Sequence, residues 1–118
     1  RHRRHHLGFV RGVEAMGLKM LVAEPYRLWS LNTIQIPEGI DDLKVRKKLL
    51  QEYNLEIGGG LGSLKGKIWR VGLMAYSSSE ANAIFFLTAL EQALREQGFE
   101  VPRGAGATAA KDFYSKAK

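Results

Sequence analysis

The chain contains no cysteine, so a disulfide framework, a zinc–thiolate site and a thiol nucleophile are all excluded. That absence fits a reducing compartment. No apolar run approaches the roughly 20 residues needed to span a bilayer. The opening RHRRHHLGFVRG is basic but is followed by no long apolar core, so it does not read as a secretory signal. The chain also begins without Met, inside a helical pattern, which suggests a fragment whose natural start lies upstream.

What is present is ordinary for one globular domain: 45% hydrophobic and 25% charged residues, enough to bury a core. The net charge is +6, but it is dispersed over Arg1 to Arg4, Lys44 to Lys48, Lys65 to Arg70 and the C-terminal tail. Such spreading favours a solvated surface or an interface to an acidic partner over a nucleic-acid interface, and no pair of aromatics on a strand offers a base-stacking platform.

Periodicity gives the elements. Phe9, Val13 and Met16 line a helix over 1–17, with Gly17 as its stop. Short strands are expected over 19–23 and 31–37. Asp41 or Asp42 caps a helix to about Tyr53, lined by Val45, Leu49 and Tyr53, and Asn54 suits a left-handed turn after it. Residues 55–58 and 67–74 read as strands, with a Gly-rich connection between them. Ser77 and Glu80 form a capping box for a helix over about 78–97, lined by Ala83, Leu87, Leu90 and Leu94. Residues 101–118 change composition and read as a tail, flexible or a short helix. The expected fold is α+β: a small, mostly antiparallel sheet of three to four strands with helices packed on one face.

The stretch GGGLGSLKGKIWRVGLM at 58–74 is the least ordinary. A P-loop built on Gly66-Lys67 would need Gly at 61 and Ser or Thr at 68, where Leu61 and Ile68 stand. A dinucleotide fingerprint started at Gly58 or Gly60 would place its last glycine at Ser63 or Lys65. Neither phosphate motif is present, and the glycines read as a close-approach turn between strands. Strand alternation puts Arg70 on one face with Ile68, Gly72 and Met74. An arginine among apolar neighbours needs an anionic partner. The pattern leaves two readings open: a structural ion pair or water-reaching edge residue, and a guanidinium that clamps a ligand carboxylate through two hydrogen bonds.

Other ionisable groups carry less. His2 and His6 have i, i+4 spacing without a third ligand, so His2, His5 and His6 are expected on a solvated helix face, and no metal site is expected. Glu56 reads as a surface residue. Ser77, Ser78 and Ser79 read as a helix start, since no histidine accompanies them as a base.

The 58–74 block closely resembles the C-terminal segment of class V, fold-type I aminotransferases of the alanine–glyoxylate and serine–pyruvate type. RHRRHHLGFVRGVEAMGLKML resembles that family's link from large to small domain, and IPEGID with the helix after it and the GAGATAA tail are similar too. AYSSSEANAIFF departs from the segment often found after the strand in relatives.

The resemblance implies that residues 1–100 are the small domain of a pyridoxal-phosphate enzyme, with 1–17 linking from a large domain and 101–118 a tail. It implies that Arg70 binds the substrate α-carboxylate and that Gly59, Gly60, Leu61 and Gly62 form a loop near the active-site mouth. The Schiff-base lysine and the cofactor-holding residues lie in the absent large domain, so Lys65 and Lys67 are not the catalytic lysine. The isolated chain is then expected to be inactive and to bind no cofactor. The implied partners are the large domain, an amino acid or α-keto acid substrate and a second subunit, with no membrane. The ending KAK is not a peroxisomal address, which leaves the cytoplasm. Some family members carry the label of a soluble hydrogenase subunit, for which this sequence offers no chemistry. A basic nucleic-acid or interaction module is the alternative.

Overall fold

A computed structural model describes residues 2–21, 31–72 and 79–116. Helix α1 spans His2–Ala15, strand β1 Lys19–Met20 and strand β2 Leu31–Gln35. Helix α2 covers Asp42–Tyr53, strand β3 Gly58–Gly59, a 3-10 turn Gly62–Leu64 and strand β4 Ile68–Gly72. Helices α3, Glu80–Glu96, and α4, Ala105–Lys116, follow. The strands form one antiparallel sheet in the order β1-β2-β4-β3. The expected α+β class, with helices on one face, is what the chain builds.

The register sorts the two faces. Ile34 lies opposite Trp69, and Gly59 opposite Trp69 on the other side. Ile34, Trp69 and Val71 are fully buried and join the helix-side core. That core takes Phe9, Val13 and Met16 from α1, Val45 and Leu49 from α2, and Phe86, Leu87, Leu90 and Leu94 from α3. Burying each such side chain contributes about 1.5–3 kcal/mol relative to leaving it in water. Phe9 and Phe86 lock α1 to α3 with ring centroids 5.6 Å apart. The stripes read from helical spacing are thus the buried ones.

The caps follow from side-chain chemistry. Asp41, not Asp42, caps α2, its carboxylate accepting from the Lys44 backbone N–H at 3.1 Å. Asn54 closes the helix in the left-handed region at φ 56°. Helix α3 is capped by Ser79, whose Oγ accepts from Asn82 N–H at 3.1 Å. Ser77 of the expected Ser77–Glu80 box lies outside the described residues, as do Leu73 and Met74 of the expected strand. Residues 105–116, within the segment read as a flexible tail or short helix, form α4, which packs chiefly on α1 and α3.

The histidines correct a further expectation. His5 and His6 are buried, at 6% and 2% exposure, and do not lie on a solvated face. For His5 the cover comes from α4: Tyr114 donates to the His5 carbonyl at 3.0 Å and its ring meets the His5 imidazole edge-on. Among the described residues, no group of three or more His, Cys, Asp or Glu could hold a metal ion. No described helix is long and apolar enough to cross a membrane.

Candidate functional site

The sheet face away from the helical core carries Arg70. Its neighbours across the ladder are Thr33 on β2 and Gly58 on β3. Arg70 stands on an inner strand and is exposed, so it is neither an edge-strand residue nor a buried cation. The apolar surroundings inferred from strand alternation are thinner than expected. Ile68, two residues back, is 4% exposed but lies outside the core cluster. It is covered by the Gly-rich turn, since a methyl group on Gly60 would come within 2.9 Å of its Cγ1.

Two glycines shape the space at Arg70. A methyl at Gly58 would stand 3.3 Å from Nη2 and 3.4 Å from Nε of Arg70, so the missing side chain lets the guanidinium lie close against β3. The Gly59 carbonyl accepts from Arg70 Nε at 2.9 Å. That bond fixes one edge of the planar group and so sets the direction of its outer fork. Of the other loop positions, Gly60 is buried beneath the turn, Leu61 is 73% exposed, and Gly62 opens the 3-10 turn at φ 58°. Gly59 is thus brought to Arg70, whereas Leu61 points to solvent. Lys65 and Lys67 are exposed on the same turn.

A second constellation lies on the helix side of β3. Asp42 accepts from Trp69 Nε1 at 2.7 Å and from Arg46 Nε and Nη2 at 2.9 and 3.0 Å. Trp69 is fully buried, so its indole N–H needs this acceptor. The i, i+4 spacing of Asp42 and Arg46 is visible in the sequence; their convergence on Trp69 has no local signal. The pairing also removes Arg46 from the cationic cluster at 44–48. Lys48 is likewise held by Glu96 and Glu52, whose hydrogen bonds raise its pKa above the ordinary lysine value.

Comparison with known proteins covers nearly the whole chain. It is 37% identical over 117 residues to (S)-ureidoglycine–glyoxylate transaminase of Bacillus subtilis, covering 99% of this chain and 28% of the relative. It is 34% identical over 121 residues to serine–glyoxylate aminotransferase of Hyphomicrobium methylovorum, covering 98% of this chain and 29% of the relative. The crystal structure of ureidoglycine–glyoxylate aminotransferase from Bacillus subtilis superimposes with a TM-score of 0.91 at 36% identity, over 97% of this chain and 30% of that one. Pyridoxamine–pyruvate aminotransferase from Mesorhizobium loti gives 0.90 at 26% identity, over 99% of this chain and 30% of that one. No family profile matches the chain. The chain thus spans under a third of the length of these relatives, and it belongs, as their C-terminal part, to the class V aminotransferases of the alanine–glyoxylate type.

Proposed function

We propose that this chain supplies the substrate-carboxylate anchor, Arg70, to a pyridoxal-phosphate-dependent transaminase that acts on an amino acid and an α-keto acid. The observation that carries the reading is the placement of Arg70: an exposed guanidinium on an inner strand of the helix-free sheet face, with its Nε tied to the Gly59 carbonyl. An arginine so oriented presents an edge that matches the two oxygens of a carboxylate with two parallel hydrogen bonds. Every amino acid and α-keto acid pair shares that carboxylate. Fixing it orients the bonds at the neighbouring carbon and lowers the entropic cost of reaction. The missing side chain at Gly58 lets the guanidinium lie against β3 on that face.

Lys48, Lys65 and Lys67 are poor candidates for the residue that would hold the cofactor. A Schiff-base lysine must shed its proton inside a desolvated site. Lys65 and Lys67 are exposed on the turn, and Lys48 is held protonated by Glu96 and Glu52. On this reading the cofactor belongs to a large domain of the same protein, with residues 1–17 leading in from it and 1–100 forming the small domain. The same reading makes the parent a cytoplasmic homodimer, as the family resemblance implies.

The test is made in the full-length transaminase that carries this chain. Arg70→Ala is expected to raise KM for the amino acid about a hundredfold, since each hydrogen bond to a charged group contributes about 1.5–3 kcal/mol. The absorbance of bound cofactor stays unchanged. A KM equal to wild type removes Arg70 from the site.

A further inference from the structure

The Gly58–Gly59 strand is enclosed between two guanidinium groups. On the open face, a methyl at Gly58 would stand 3.3 Å from Arg70 Nη2. On the helix face, a methyl at Gly59 would stand 3.2 Å from Arg46 Cζ and 3.3 Å from its Nη2. The Arg46 plane thus lies directly beneath the residue whose carbonyl orients Arg70. Arg46 is itself held by both oxygens of Asp42. Asp42 is fixed in turn by the indole of Trp69, which pairs with Gly59 across the ladder.

We propose that Arg46 is a positioning residue for the substrate anchor: its plane oriented by Asp42, it supports the underside of Gly59 and so sets the height of the carbonyl that holds Arg70 Nε. The proposal rests on the carboxylate-anchoring reading of Arg70. Two features make the support specific. Strand β3 is two residues long, so its own ladder holds Gly59 weakly. Glycine at both positions removes the side chains that would otherwise hold the strand off the planes on either side. A flat, bidentate-held guanidinium is the support that fits. A lysine ammonium keeps the charge for Asp42 but presents no plane.

Two readouts separate this proposal from the reading it rests on. The first is exchange of the Arg70 Nε–H proton with water, followed by proton–nitrogen NMR in the full-length enzyme. The second is steady-state kinetics. Arg46→Lys retains an ion pair with Asp42 and is expected to fold. It should speed Arg70 Nε–H exchange about tenfold by loosening the bond to Gly59. It should also raise KM for the amino acid about tenfold, with a smaller change in kcat, since small misplacements of positioning groups weaken catalysis by up to a hundredfold. The double variant Asp42→Asn/Arg46→Met, which leaves no orphaned charge, should do the same more strongly. Unchanged Nε–H exchange in both variants overturns the proposal whatever the kinetics. Faster exchange with wild-type KM in both keeps the support of Gly59 and overturns the carboxylate-anchoring reading of Arg70.

Discussion

Gly12 and Gly106 meet where α1 crosses α4: a methyl at Gly12 would stand 2.9 Å from the Gly106 carbonyl oxygen, and one at Gly106 would stand 3.2 Å from that of Gly12. Gly8 continues the contact, since a methyl there would fall 2.2 Å from Tyr114 Cε1. Small residues on both helices allow backbone-to-backbone approach. Gly→Ala inside a free helix is stabilising by up to about 1 kcal/mol. Here the crossing reverses the sign, because overpacking costs about 1–3 kcal/mol. Gly12→Ala is therefore expected to lower the urea midpoint at an unchanged slope. A raised midpoint would mean that the helices separate without cost.

The N-terminus of α4 is held by a buried carboxylate. Glu91, 3% exposed, accepts from Gly104 N–H at 2.9 Å and 3.2 Å through its two oxygens. An anion beside the first turn of a helix also opposes the partial positive charge there. Glu91→Ala removes both effects and is expected to cost about 2 kcal/mol, with faster proteolytic cleavage near residue 104. Glu91→Gln keeps an acceptor oxygen and should lose less. Equal losses in the two variants would assign the effect to packing rather than to the hydrogen bonds.

These contacts show why part of the fold was readable and part was not. Helical spacing at Ala83, Leu87, Leu90 and Leu94 and the left-handed signal of Asn54 are local, and each appears in the structure as the sequence suggests. The cover over His5 comes from Tyr114 of α4, more than a hundred residues away in the chain. No window around the histidines contains that information. Arg70 stands between these cases. Strand alternation identified it as unusual, but the pairings with Thr33 and Gly58 that place it on the open face come from long-range register. The convergence of Asp42 and Arg46 on Trp69 was hidden for the same reason.

Gly60 is required for the turn, independently of any substrate. A methyl there would stand 2.1 Å from the Leu64 carbonyl oxygen and 2.6 Å from its carbon, both backbone atoms. Neither atom can give way as a flexible side chain would, so the whole 62–64 turn must move. Gly60→Ala is expected to lower stability by about 1–3 kcal/mol and to expose Ile68. Gly62→Ala meets no neighbouring atom and has only its positive φ of 58° against it. Its loss should be smaller, roughly 1 kcal/mol. Measured losses in the reverse order would contradict this account of the turn.

Tyr114 ties stability to alkaline pH. Burial pushes its pKa up to about 12, with Glu80 adding to the shift and Arg4 opposing it. Its hydroxyl donates to the His5 carbonyl at 3.0 Å, a bond that the phenolate cannot make. The folded state therefore holds this proton more tightly than the unfolded chain, whose tyrosine titrates near 10. The contribution is fully present below pH 10 and is lost as pH rises through about 12. In denaturant titrations, the wild type should lose stability more steeply than Tyr114→Phe across that window, while the variant is the less stable of the two at neutral pH. Parallel pH profiles for the two proteins would show that Tyr114 titrates alike folded and unfolded.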